Sequence, residues 1–263
     1  MTFLTLVAVA PMRSEASHRS EMVSQLLFGE LCDWMDSSGD FVRVKNRYDG
    51  YEGWVQRSQL AQIEPHVRDQ SITNTQMLTE GAEVDGSPVP LSPCCEFYCP
   101  ANVGGEINYK DVQAEGHSIK YLLPLDGPNA PNVASNVHAL IMQYAHWYLG
   151  TPYLWGGKSI WGIDCSGFVQ MVYKMADLFV PRDAWQQAEG GDVVGFLQEA
   201  VPGDLAFFDN AEGRITHVGI LLNEKEIIHA SGVVRVDPID NHGIMNKQSG
   251  KRTHNLRIIK RFF

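Results

Sequence analysis

The chain has 263 residues, 44% of them hydrophobic and 20% charged, with a formal net charge of −10. That is the composition of an ordinary soluble protein, long enough for one large core or two or three smaller ones, and its acidic balance disfavours nucleic acid or an anionic membrane as the main partner. The five cysteines are Cys32, Cys94, Cys95, Cys99 and Cys165; an odd number, three of them crowded together, fits a reducing compartment rather than a secreted disulfide framework.

The first apolar stretch, Phe3–Ala10, has no basic residue before it and runs into Pro11 without a small-residue cleavage site. It reads as a strand rather than a signal peptide, and nothing approaches the roughly 20 apolar residues of a membrane span. A cytoplasmic location is therefore expected. Further strands are predicted over Leu26–Leu31, Phe41–Lys45 and Gly53–Gln56, separated by turn chemistry at Ser37-Ser38-Gly39-Asp40 and Tyr48-Asp49-Gly50. From 64 to 125, strand-like pieces lie at Val84–Leu91, Asp111–Gln113 and Ile119–Leu123, with turns at Gly81, Asp85-Gly86 and Gly104-Gly105. Cys94, Cys95 and Cys99 fall here with no neighbouring histidine. A closed zinc site needs four ligands at regular spacing, so neither a metal site nor a cofactor is expected.

The segment from Leu125 to Asn132, rich in proline and glycine, is a boundary. Beyond it Ser135 can cap a helix with Val137, Leu140, Ile141, Tyr144 and Tyr148 on one face. The run GTPYLWGGKSIWGIDCSGFVQMVYKMADLF, residues 150–179, then pairs a glycine-rich loop with an amphipathic helix, and Cys165 falls at that helix's first turn. Unpaired N–H groups and the helix dipole there favour a thiolate. A short helix or turn follows over Trp185–Ala188. The end of the chain is β-rich: Asp204–Phe208, Ile215–Asn223, Glu226–Ala230, Gly232–Val236 and Leu256–Phe262. Helices followed by an antiparallel sheet make an α+β arrangement.

A thiol nucleophile needs a base and a group to orient that base. His217 heads one predicted strand and His229 ends the next. A hairpin centred on Asn223 would set the two directly opposite on one face, whereas a loop with an even number of residues would put them on opposite faces. Each histidine could also simply cap the hairpin.

The motifs GTPYLWGG, DCSGFVQMVYK, PGDLAFF, THVGILL and IIHASG, in that order, resemble the NlpC family of papain-like cysteine peptidases over about residues 132–263. The stretch containing Gly29-Glu30 and Gly53-Trp54-Val55 resembles a bacterial SH3-like domain. The expected organisation is an SH3-like barrel (1–63), a second, divergent SH3-like barrel (64–125) and an α+β papain-like peptidase domain (126–263). The resemblance implies Cys165 as nucleophile, His217 as base, His229 as its orienting residue and Tyr153 as an oxyanion donor. Tyr153 could equally be a core-packing residue.

Two SH3-like domains before such a domain resemble the branch that cleaves the γ-D-glutamyl–diamino acid bond of small peptidoglycan peptides. That resemblance implies recognition of a free L-Ala amine by Tyr51 and Asp164, with Ser166 lining the pocket and Glu21 the nearest acidic residue of the first domain. Glu21 is displaced by two positions from the family pattern, where Val23 aligns, and Ala184 stands where some members have serine. On the residues alone, Tyr51 could pack beside Trp54, Asp164 could only cap the helix and Ser166 could be a turn residue. Small murein peptides of the form L-Ala-γ-D-Glu-L-Lys or its diaminopimelate counterpart are the expected partners. The alternatives are an exported lysin, a papain-like amidase or acyltransferase, and a non-catalytic wall-binding protein.

Overall fold

The computed structural model describes residues 1–63, 72–74, 81–98, 112–122 and 136–263. The chain forms two compact units, Met1–Ala130 and Pro131–Phe263.

In the first unit, β1 (Thr2–Thr5), β2 (Val9–Arg13), β3 (Met22–Leu27), β4 (Leu31–Ser38), β5 (Phe41–Asn46), β6 (Glu52–Gln56) and β7 (Leu60–Ile63) form one antiparallel sheet in the order β3-β2-β6-β5-β4-β1-β7. Alternation builds its core. Val42 and Val44 of β5 point inward with Phe3, Met12, Leu26 and Val55, while Arg43 and Lys45 face water. The stretch Phe3–Ala10 is not one strand. β1 pairs with β4 and β7 whereas β2 pairs with β3 and β6, so the chain must cross between two places in the sheet at Leu6–Ala8. Leu26–Leu31 likewise breaks, at a turn where the buried Glu30 carboxylate accepts the Leu27 N–H at 2.9 Å.

Two smaller sheets follow. β8 (Ile72–Asn74) pairs with β11 (Glu96–Tyr98), and β9 (Ala82–Val84), β10 (Ser87–Val89), β12 (Val112–Ala114) and β13 (His117–Tyr121) take the order β10-β9-β13-β12. Val84–Leu91 is a hairpin rather than a single strand, because Asp85 and Gly86 both adopt positive φ, 52° and 76°, as tight hairpin turns require. Cys94 and Cys95 are buried here. Cys99, Gly104-Gly105, Ser135 and the boundary segment lie outside the described residues.

The second unit opens with α1 (Val137–Trp147), whose N-cap is Asn136; its side chain accepts the His138 N–H at 3.0 Å. A small hairpin, β14 (Lys158–Ser159) and β15 (Gly162–Ile163), precedes α2 (Cys165–Met175), and α3 (Ala184–Glu189) follows. The sheet contains β16 (Asp192–Val194), β17 (Leu205–Asp209), β18 (Ile215–Leu221), β19 (Glu226–Ser231), β20 (Val233–Asp240), β21 (Gly243–Met245) and β22 (Arg252–Arg261), in the order β16-β22-β17-β18-β19-β20-β21. β21 also pairs with β22, which closes six strands into a barrel. Ala206, Phe208, Leu221, Ile227, Ile239 and Ile244 form a common core, and α2, buried along its whole length, packs against β18 and β19. Among the described residues no helix is long and apolar enough to cross a membrane.

Candidate active site

The loop before α2 is held by one carboxylate. Asp164 caps the helix: its Oδ1 accepts the Gly167 N–H at 2.6 Å and its Oδ2 accepts the Gly156 N–H at 2.9 Å. A Cβ on Gly167 would collide with the Gly157 carbonyl oxygen, so this glycine is what lets the loop lie directly on the first turn. Arg182, buried at 2% exposure, forks onto both oxygens of Asp164 and donates to Ser166 Oγ at 2.9 Å. The Ser166 hydroxyl also lies 3.3 Å from Asp164 Oδ1. Asp164 and Ser166 are thus tied to a buried cation that the sequence reading did not connect to them.

Cys165 begins α2, and N–H groups of Val218 and Ser166 point to its sulfur. Helix-start geometry alone predicts a lowered pKa. In the fold the opposite holds: burial, then the neighbouring Asp164 charge, push the thiol up to about 12 against the pull of those N–H groups and Arg182. The resting sulfur is a thiol, so acting as a nucleophile would require a base.

The candidate base, His217, is one residue from Val218. β18 and β19 pair Ile220 with Ile228 and Leu221 with Ile227, so the hairpin is centred on Glu224, not Asn223. Continuing this register sets Gly219 opposite His229, with His217 one step diagonal on the same face. Gly219 leaves room for the diagonal: His229 reaches across, and its Nδ1 lies 2.8 Å from His217 Nε2. His229 Nε2 lies 3.1 Å from Asp237 Oδ2 on β20. Asp237 Oδ1 accepts the Lys247 N–H at 2.9 Å, and Arg235 Nη2 lies 2.8 Å from Oδ2. Burial, and behind it His254 and His229, hold His217 well below the ordinary histidine range, so the imidazole is neutral. With Nε2 engaged by His229, Nδ1 is the ring nitrogen left for the thiol proton.

His254 of β22 stacks on His217 with ring centroids 4.1 Å apart and planes 23° from parallel. Nitrogens of His217, His229 and His254 lie within 4.8 Å of one another, the grouping with metal-ligand chemistry among the described residues. Hydrogen bonds occupy His217 Nε2, both His229 nitrogens and His254 Nδ1, which lies 2.9 Å from Thr253 Oγ1.

Tyr153 is half-buried on the loop before β14, anchored by its N–H to the Gly232 carbonyl at 2.9 Å. Burial first, and then the proximity of Cys165 and Asp164, raise its phenol, so it stays a protonated donor. Tyr51 and Glu21 belong to the first unit. Tyr51 is half-buried before β6 with its N–H on Asp49 Oδ1 at 2.9 Å, and Glu21 is exposed at the head of β3.

The family model described as the NlpC/P60 family matches residues 150–253, and that of the bacterial dipeptidyl-peptidase SH3 domain matches residues 12–60. A γ-D-glutamyl-L-lysine dipeptidyl-peptidase of Bacillus subtilis (strain 168) is 30% identical over 217 residues, covering 79% of this chain and 71% of that protein. The chain belongs to the NlpC/P60 family. Dipeptidyl-peptidase 6 of Lysinibacillus sphaericus is 26% identical over 94% of this chain and 95% of its own length. The crystal structure of an NlpC/P60 family protein from Bacillus cereus shares the fold, with a TM-score of 0.77 at 19% identity over 100% of this chain and 99% of that one. As a member of this cysteine peptidase family, the chain has an NlpC/P60 domain fold preceded by an SH3-like all-β region.

Three residues of the second unit were not singled out as site residues from sequence: Arg182, Asp237 and His254. A signal for Asp237 existed. Gly232 centres the β19–β20 hairpin, since Ser231 pairs with Val233, and counting outward sets Arg235 opposite His229 with Asp237 one step along the same face. No local signal marks His254, which arrives on β22 by barrel closure.

Proposed function

We propose that this chain hydrolyses the γ-D-glutamyl–diamino acid bond of small peptidoglycan-derived peptides that carry a free N-terminal L-Ala. The observation that carries the chemistry is that Cys165 receives the N–H of Val218, the residue next to His217, and that His217 is in turn bonded to His229. The substrate class is supported by the relatives named γ-D-glutamyl-L-lysine dipeptidyl-peptidase.

In this reading Cys165 Sγ attacks the γ-carbonyl carbon of D-glutamate while its proton passes to His217 Nδ1. The attack creates the tetrahedral oxyanion and the imidazolium together, so the buried site never holds a lone charge. The backbone N–H of Cys165 and the Tyr153 hydroxyl donate to the oxyanion. The C–N bond then breaks as His217 returns the proton to the leaving amine. Water attacks the thioester, gives a proton to His217, and the thiol is restored from it. The products are L-Ala-γ-D-Glu and the diamino acid or its extension.

Within the second unit the free amine is assigned to Asp164 and Ser166. Because Asp164 already balances Arg182, it supplies the ammonium with a hydrogen-bond acceptor rather than a net charge. A role in cytoplasmic recycling of wall fragments belongs to the same proposal, since such small peptides arise from wall that has already been cut; cell fractionation tests it.

Chromatography of L-Ala-γ-D-Glu-L-Lys digests should give L-Ala-γ-D-Glu and lysine with the native chain and intact tripeptide with Cys165→Ala. Acetylating the alanine amine should strongly reduce turnover. Intact tripeptide after long incubation with the native chain would defeat the reading, and equal rates on the acetylated peptide would remove the amine pocket.

A further inference from the structure

Asp237 ends a buried line that crosses three strands: His217 on β18, His229 on β19 and Asp237 on β20. The side chains of His229 and Asp237 are 0% and 2% exposed, so no water competes for their bonds. The donor and acceptor roles along this line follow from the carboxylate. Asp237 Oδ2 can only accept, so the proton between it and His229 sits on His229 Nε2. Where that is the one proton on the His229 ring, its Nδ1 is bare and accepts from His217 Nε2–H. A neutral His217 protonated at Nε2 has its lone pair on Nδ1. One carboxylate two imidazoles away therefore decides which nitrogen of His217 can take a proton.

We propose that Asp237 is a positioning residue that sets the tautomers of both histidines and so makes His217 a base toward Cys165. The proposal rests on the peptidase reading above. The carboxylate is itself fixed, its Oδ1 held by the Lys247 N–H and its Oδ2 by Arg235. Although burial works against the charge, the bond from His229, the Lys247 N–H and Arg235 bring the Asp237 carboxyl down to about 2, so it is ionised across the range in which peptidases work. His254 is the other titratable group on the line, and its ring covers His217 without a hydrogen bond to it.

Asp237→Asn, made in an Arg235→Leu background so that no cation donates to the Oδ2 position, tests the idea because the shape is kept while the logic is inverted. The Lys247 N–H pins the amide oxygen at the Oδ1 position and turns the NH2 toward His229 Nε2. A donor there requires a bare Nε2, which moves the His229 proton to Nδ1 and the His217 proton to Nδ1, facing the thiol. Nitrogen-15 NMR of the native chain should find His229 protonated at Nε2 and bare at Nδ1, and in Asp237→Asn the reverse. Turnover of L-Ala-γ-D-Glu-L-Lys should fall about 10- to 100-fold in kcat with KM nearly unchanged, as for other partners that orient a catalytic ligand from behind. Native His229 protonated at Nδ1, or an Asp237→Asn protein with native kcat, overturns the proposal. If the variant does not fold, the native spectrum alone decides. Cys165→Ala in the same assay separates the two readings: full turnover there sinks the peptidase assignment, whereas a dead Cys165→Ala beside a fully active Asp237→Asn sinks only the role of Asp237.

Discussion

Opposite His229, a Cβ on Gly219 would stand 2.8 Å from both His229 Cβ and Ile227 Cδ1. Gly219→Ala should therefore push the imidazole off its diagonal to His217, and displacements of about 1 Å can cost on the order of 100-fold in rate. The expected result is a kcat drop of roughly 10- to 100-fold for a stability loss of about 1–3 kcal/mol, read by steady-state kinetics and urea titration; native kcat would mean that His229 does not need that gap. At this scale much of the site was legible. Cys165 stands out by its glycine-bounded loop and helix start, and His217 and His229 by their positions on neighbouring strands. The ionisation of Cys165 was not legible, because helix-start geometry is local while the burial that outweighs it is contributed by the barrel.

The glycine-rich loop and α2 act as one element through Asp164. Two backbone N–H groups and Arg182 converge on that carboxylate, at 9% side-chain exposure for the acid and 1% for the base. Arg182→Met would leave the acid buried without its partner, and breaking such a pair from one side costs about 3–5 kcal/mol. Adding Asp164→Asn should recover much of that loss, because the amide keeps a capping oxygen and removes the stranded charge. Denaturation midpoints of the single and double variants check this, and equal midpoints for the two would show that the charge is not what matters. Pattern alone anticipated α2, the α3 segment and most strands of the second unit. It misread Phe3–Ala10 and Val84–Leu91 as single strands, because an apolar run does not reveal where the chain must change partners, nor how tightly Asp85-Gly86 turns.

For the whole molecule, the barrel's closure gathers histidines in its interior, with a consequence for acid stability. Burial first, then His229 and Arg235, bring His254 down to about 4, and His217 is lowered as well. Both are lower folded than unfolded, so between about pH 6.5 and 4 the unfolded chain binds more protons and stability falls as pH falls; above 6.5 their contribution is complete. Urea midpoints should drop steadily over that window, and His254→Phe, which keeps a ring on His217 but cannot titrate, should flatten the curve. A midpoint constant from pH 7 to 4 would contradict the buried, neutral histidines.

The sequence by itself pointed to the family through motifs in a matching order, read the all-β character of the N-terminal region and the α+β character of the second unit, and singled out the cysteine and two histidines as candidates. The secondary-structure character depends on local spacing: turn residues, period-two strands and a capped helix start are encoded within a few residues. Only the tertiary structure decided what those groups are bonded to. Strand register moved the hairpin centre by one residue to Glu224, barrel closure brought His254 onto His217, and the packing of α2 joined Arg182 to Asp164. Each of these contacts links residues distant in sequence, and the energy that selects them comes from burying the whole barrel and helix together, which no local pattern contains.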